Sequence, residues 1–216
     1  MAAEKEHKHI RGRHAKGALP SYGSRTDVGL VREHNEDSLA VNPPLYAVAD
    51  GMGGHAAGEV ASEIAIQALV ANAPDTPDGD NLARAVVAAN HAIIRAVHEG
   101  IGRKGMGTTM TAAMLSGKRL VIAQVGDSRA YLLHEGSLQR ITRDHSLMAD
   151  LIDSGQITPE EAKTHPQRSV ITRALGSDPS TLPDIYEMNV SAGDRLLLCS
   201  DGLSGMVDDP LLESIL

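Results

Sequence analysis

The sequence predicts an α+β fold, and two features carry that reading. Helical and extended patterns come in blocks: two amphipathic helices stand together between Ala56 and Glu99, with strands before and after them. That order is not the βαβ alternation of a parallel sheet. In addition, three apolar runs each end in an aspartate beside a glycine. Leu45–Ala49 runs into Asp50-Gly51, Leu120–Val125 into Gly126-Asp127, and Leu196–Cys199 into Ser200-Asp201-Gly202. Each reads as a buried strand closed by a turn.

The elements follow in chain order. Residues 1–20 are polar and rich in Lys, Arg and His, and read as a disordered tail. Its His7, His9 and His14 have metal-ligand chemistry, but a solvated tail is the plainer reading. A single domain is expected over 21–216. Leu39–Val41 and Leu45–Ala49 pair across Asn42-Pro43-Pro44. Ala56–Asn72 is a helix with Val60, Ile64 and Ala68 on its inner face. Asn81–Glu99 is a second helix, with Leu82, Val86, Ala89, Ile93 and Val97 at the helical period. Thr108–Leu115, Leu120–Val125 and Ala130–His134 are strands, turning at Ser116-Gly117-Lys118 and Glu135-Gly136-Ser137. Ser146 caps a short helix that Gly155 stops. Thr158-Pro159-Glu160-Glu161 is a capping box with proline in the first turn. The polar stretch to Gly176 is an exposed flap. Ile185–Val190 and Arg195–Cys199 are expected to pair, and Asp209–Leu216 begins a helix.

Composition limits the function. A chain of 216 residues, 42% hydrophobic and 22% charged, suffices for one sizeable core. With no Phe or Trp, that core is built from Ala, Val, Leu, Ile and Met. A net charge of -8 argues against nucleic-acid binding. The single cysteine, Cys199, excludes an internal disulfide and fits a reducing, cytoplasmic setting. No apolar run reaches the ~18 residues of a membrane span, and no signal-peptide core opens the chain.

The acidic strand ends carry the chemistry. If they meet, their carboxylates repel one another and resist desolvation, so the cluster calls for cations. Oxygen ligands select hard ions, Mg²⁺ or Mn²⁺. A metal-dependent hydrolase is therefore the leading class. Arg32 stands close to Glu36 and Asp37; its planar fork suits a phosphate, although a surface ion pair would read the same. Asp50-Gly51-Met52-Gly53-Gly54-His55 concentrates glycine where a backbone must approach an ion, and the Gly51 carbonyl is a candidate ligand. Asp127 and Asp201 are ordinary turn residues singly; their shared placement makes the set. Other chemistries fail on spacing. Cys199 lacks the arginine of C-x₅-R, Gly126–Ala130 lacks the last glycine of G-x-S-x-G, and no zinc pattern is present. A metal-dependent nuclease fits the acids but not the net charge.

Thr26–Ser38 (TDVGLVREHNEDS), DGMGGH at Asp50–His55, VGDSRAY at Val125–Tyr131 and LLLCSDGL at Leu196–Leu203 together resemble the bacterial PPM, or type 2C, metal-dependent protein phosphatases. Thr164–Leu175 is similar to that family's flap and is expected to be helical. The resemblance spans about Tyr22 to Leu216. It implies a four-layer αββα sandwich of two antiparallel sheets between helices, holding two or three Mn²⁺ or Mg²⁺ ions. Asp50 then matches the bridging carboxylate, Gly51 the carbonyl ligand, Asp201 a first-metal ligand and Asp127 a third-metal ligand. Asp37 or Glu36 matches the acid of the second metal, and Arg32 the phosphate-binding arginine. The implied reaction is hydrolysis of phosphoserine or phosphothreonine by a metal-activated water. The implied partners are phosphorylated proteins, including a serine/threonine kinase and its substrates, met by a monomer. Two departures follow from the same comparison. Met52 stands where some members carry a proposed acid histidine, and no late Asp-Asn motif occurs before Leu216. The second departure raises the alternative of a truncated, impaired module that binds phosphoproteins without turnover.

Overall fold

The computed structural model describes residues 20–54 and 57–216. The tail histidines, His55 and the expected first residue of the first helix, Ala56, lie outside the described residues. Strands β1 (Asp37–Asn42), β2 (Leu45–Met52), β4 (Met110–Ser116), β5 (Arg119–Val125) and β8 (Asp184–Asn189) form one antiparallel sheet, in the order β1-β2-β4-β5-β8. The two-residue β3 (Gly107–Thr108) pairs with the end of β2. A second sheet runs β7-β6-β9, from Ser137–Arg140, Arg129–His134 and Arg195–Cys199.

Period-two patterning assigns the layers. On β4 and β5, Met110, Ala112, Met114, Val121, Ala123 and Val125 face helices α1 (Ala57–Asn72) and α2 (Gly79–His98), where Leu69, Leu82, Val86 and Ile93 meet them. The alternate residues Ala113, Leu120 and Ile122 point the other way and pack with Ala130 of β6 and Leu196 and Leu198 of β9. β5 therefore buries both faces, which is why it reads as a continuous apolar run. On the outer side of the small sheet, Tyr131, Cys199 and Leu212 form a third cluster. Leu203 of α5 (Asp201–Ser204) and Leu212 of α6 (Asp209–Ile215) cover it. Helix, sheet, sheet, helix is the αββα order expected.

Several expectations change. On α1 the fully buried residues are Ala61, Ala65 and Leu69, while Val60, Ile64 and Ala68 are only half-buried. The inner stripe is thus one residue further along, because small side chains let the helix lie close to the sheet. Residues 164–175 are not a helix. Helix α4 (Pro159–Thr164) ends where Pro166 turns His165 to extended backbone. Beyond it the chain bridges Ser146 to Ile171 and Thr108 to Leu175; the β-branched run Val170-Ile171-Thr172 suits that conformation. β8 and β9 do not pair with each other. β8 joins β5 and β9 joins β6, so the connection between them crosses from one sheet to the other. β7 and α5 are additional elements that the pattern did not single out.

The capping signals held. Ser146 accepts from the Ala149 N–H to start α3 (Leu147–Asp153), and Thr158 and Glu161 form the reciprocal capping box of α4.

Candidate metal centre

The register of the first hairpin sets Asp37 directly opposite Asp50, so their side chains leave the same face. The backbone of Asp50 is fully engaged. Its N–H donates to Thr109 Oγ1 at 2.9 Å, and its carbonyl accepts the Thr109 N–H at 2.9 Å and the Thr108 hydroxyl at 2.8 Å. These bonds hold the strand end so that the carboxylate faces the cleft. The Glu36 carbonyl is pinned by the Ser62 hydroxyl of α1 at 2.7 Å and the Gly51 N–H at 3.1 Å.

Gly51 answers to packing. A Cβ there would collide with the Gly58 carbonyl of α1 and lie 2.7 Å from the Glu36 carbonyl oxygen. The close approach that this glycine permits is therefore strand to helix.

Asp127 follows β5 in a loop that begins at Gly126, whose φ of 98° favours glycine. The loop is braced from below. Gln124 Nε2 donates to the carbonyls of Gly126 (3.0 Å) and Ser128 (2.6 Å), and its Oε1 accepts from Thr111 at 2.6 Å. The Ser128 and Thr109 hydroxyls lie 2.7 Å apart, which joins this brace to that of Asp50. Asp201 is the first residue of α5. Ser200, its N-cap, makes no capping bond, because its hydroxyl donates to Asp37 Oδ2 at 2.7 Å. That bond links the two sheets at the site.

These strand ends enclose a cleft of about 240 Å³. Asp50, Asp127 and Asp201 line it, together with Arg32, Glu36 and Gly51 and with Ser169 and Ile171 of the flap. Six of the seven residues singled out from the sequence thus line one cavity, and the seventh, Asp37, touches its edge through Asp50. The two candidates for one acid sit differently: the Asp37 charge acts on Asp50, whereas Glu36 lines the cleft with its carboxylate beside Gly58 and 3.8 Å from Arg32.

The acids crowd one another. Burial pushes the Asp50 carboxyl up to about 8, helped by the charges of Asp37 and Asp201, a close carboxyl contact with Asp201, and the charge of Asp127. Burial also lifts Asp127 to about 6, with Asp201 and Asp144 adding to it. The nearest buried cation, Arg129, is committed to Asp144 at 2.6 Å. Arg32 is a rim residue whose side chain is 65% exposed. The carboxylates meet in pairs, and among the described residues no three His, Cys, Asp or Glu side chains close on a common point. Oxygen donors with uncompensated charge fit hard divalent ions. The sequence reading missed the threonines and serines that hold these acids. Their signal was Thr108-Thr109 at the head of an otherwise apolar strand.

The family model for protein phosphatase 2C matches residues 31–215. The chain belongs to the protein phosphatase 2C family. A curated relative, the serine/threonine protein phosphatase PstP of Mycobacterium tuberculosis, is 50% identical over 198 residues, 90% of this chain and 38% of the relative. This type 2C chain therefore spans well under half the length of that relative. The crystal structure of M. tuberculosis PstP superposes with a TM-score of 0.82 at 50% identity, covering 88% of this chain and 82% of that one. A structure of the PstP catalytic domain in complex with two manganese ions gives a TM-score of 0.79 at 47% identity, covering 88% and 81%. Among the described residues of this type 2C chain no helix is long and apolar enough to cross a membrane.

Proposed function

We propose that this chain is a divalent-metal-dependent phosphatase that hydrolyses phosphoserine and phosphothreonine in proteins, using Mn²⁺ or Mg²⁺. The observation that carries the reading is three aspartates walling one cleft with the charge of Asp37 acting on Asp50, whose carboxyl burial and its neighbours push up to about 8. Asp50, on which the charges of Asp37 and Asp201 act, would hold the ions together with those acids. Asp127 would hold a further ion, and Gly51, which lines the cleft, would offer its carbonyl. When bound, the ions supply Lewis acidity to the phosphoryl group and an acidified water.

The protein's own residues do the rest. The cleft's carboxylates repel a phosphate dianion, so the neutralised cleft is the form that admits substrate. Arg32, exposed at the rim, reaches over the cleft and holds two phosphoryl oxygens with its fork. It stabilises the charge spread over those oxygens during in-line displacement. The braces on Asp50 and Asp127 keep the acids in place without reorganisation. Met52 lines the cleft but carries no exchangeable proton. The open cleft therefore leaves solvent to protonate the departing serine or threonine oxygen.

The natural substrates are phosphorylated proteins, including a serine/threonine kinase and its targets. The names of the relatives support the protein-phosphatase class. The working form is a cytoplasmic monomer, with 21–216 as its phosphatase domain. The test is phosphate release from a phosphothreonine peptide with Mn²⁺ and with EDTA, for wild type and Asp50→Ala. Metal-dependent release in wild type alone supports the proposal. Binding without release, or release that survives EDTA, refutes it.

A further inference from the structure

His145 stands where three segments meet: the Asp127 loop, the flap segment and β8. It is 2% exposed. Its backbone N–H donates to the Gly126 carbonyl at 2.9 Å, and its own carbonyl accepts the Thr172 N–H at 2.9 Å. In the ring, Nδ1 accepts the Gly126 N–H at 3.1 Å. An accepting Nδ1 places the proton of the neutral ring on Nε2. Nε2–H then donates to Asp184 Oδ2 at 3.0 Å. The other oxygen of Asp184 accepts from Arg173 Nη1, which also donates to the Leu182 carbonyl at 3.3 Å.

One histidine thus holds both backbone polar groups of Gly126, the residue before Asp127. A second chain of bonds ties the same histidine to the flap. Its carbonyl meets Thr172, its ring reaches Arg173 through Asp184, and the next two residues continue the pairing: Ser146 bridges Ile171, and the Leu147 N–H donates to the Val170 carbonyl at 2.9 Å. Ser169 and Ile171 of this segment wall the cleft. Burial holds the ring below the usual imidazole range, with Arg173 and Arg143 acting the same way against the pull of Asp184. It therefore stays in the single-proton form that this arrangement requires. Both nitrogens and both backbone groups of this histidine are committed to segments that wall or adjoin the site.

We infer that His145, oriented by Asp184 and Arg173, is a positioning residue that sets Asp127 for its divalent ion and links that ion to the flap residues lining the cleft. The inference rests on the reading of Asp127 as a metal-holding acid. Outer partners of metal-holding groups typically change affinity by about 10–100-fold when removed.

The test is Mn²⁺ titration calorimetry, with thermal melts in EDTA, on wild type, Asp127→Asn, Arg173→Met, His145→Leu and His145→Gln. Asp127→Asn identifies the ion that depends on Asp127. His145→Leu should weaken that ion about 10–100-fold and Arg173→Met measurably but less, with the ion held by Asp50 essentially unchanged. His145→Gln, whose amide offers one acceptor and one donor, should recover part of the loss. Arg173→Met should add nothing in the His145→Leu background. If His145→Leu does not fold, Arg173→Met and His145→Gln carry the test. The inference is overturned if Asp127→Asn weakens an ion and Arg173→Met does not. It is also overturned if Arg173→Met lowers every site equally along with the melt in EDTA. If Asp127→Asn leaves the isotherm unchanged, the metal reading of Asp127 fails and the inference falls with it.

Discussion

Replacing Asp50 by Asn should stabilise the metal-free protein and remove its response to metal. In the folded state burial and the charges of Asp37, Asp201 and Asp127 raise the Asp50 carboxyl from 3.8 to about 8. Below the lower value the group is protonated whether folded or unfolded, and no penalty exists. Between the two values the folded state holds a proton that the unfolded state has lost, so stability falls as pH rises; above about 8 the fall is complete. At about 1.4 kcal/mol per unit, this rise sets a ceiling near ~6 kcal/mol. An amide in the same place still costs about 1–3 kcal/mol for its buried polar atoms. The net gain expected for Asp50→Asn is then about 3 kcal/mol at pH 8, turning into a loss of about 1–3 kcal/mol at pH 4, where the relief vanishes and the amide cost stays. For a chain of this size the gain at pH 8 is roughly 6–12 °C in melting temperature. The assay is a set of thermal melts in EDTA across pH 4–8, repeated with Mn²⁺. Bound ions at 100 times their dissociation constant add about 2.7 kcal/mol to wild type, whereas the variant should show little shift. A variant no more stable than wild type in EDTA at pH 8, or a gain that does not grow with pH, would refute the account of an uncompensated acid cluster.

Other expectations follow from particular contacts. Arg32→Ala should reduce turnover of a phosphopeptide at least about tenfold, as loss of a charge-assisted fork does, while Mn²⁺ calorimetry stays at wild-type affinity; an equal loss of both would make Arg32 structural. Gly51→Ala should destabilise by about 3 kcal/mol, because its methyl meets the α1 backbone at Gly58. Gly54→Ala, open around its Cβ but at a φ of +72°, should cost only about 1–2 kcal/mol in a urea melt. Ile122→Ala, fully buried between the sheets, should cost about 3–4 kcal/mol with turnover per folded molecule unchanged.

Local signals in the sequence determined most of the elements and set the acids at strand ends. Helix α2 was readable because Leu82, Val86, Ala89 and Ile93 recur at the helical period and are all buried. The capping box at Thr158 was readable because its bonds close within four residues. The acids were readable because each follows an apolar strand, and a strand end is where a side chain leaves the core. Tertiary structure decided what depends on residues distant in the chain. Whether β8 joins β9 or β5 is a matter of which apolar face finds a partner, and both strands look alike alone. The inner stripe of α1 shifted by one residue because close packing at Gly51 and Gly58 favours Ala61 and Ala65 over the bulkier Val60 and Ile64. The flap segment gave up its expected helix for pairing with His145 to Leu147, bonds that no local pattern announces. The facing of Asp37 and Asp50 came from strand register, which pairs residues distant in the chain. The cluster's unbalanced charge is a property of distance, and distances between Asp37, Asp50, Asp127 and Asp201 exist only once two sheets have been brought face to face.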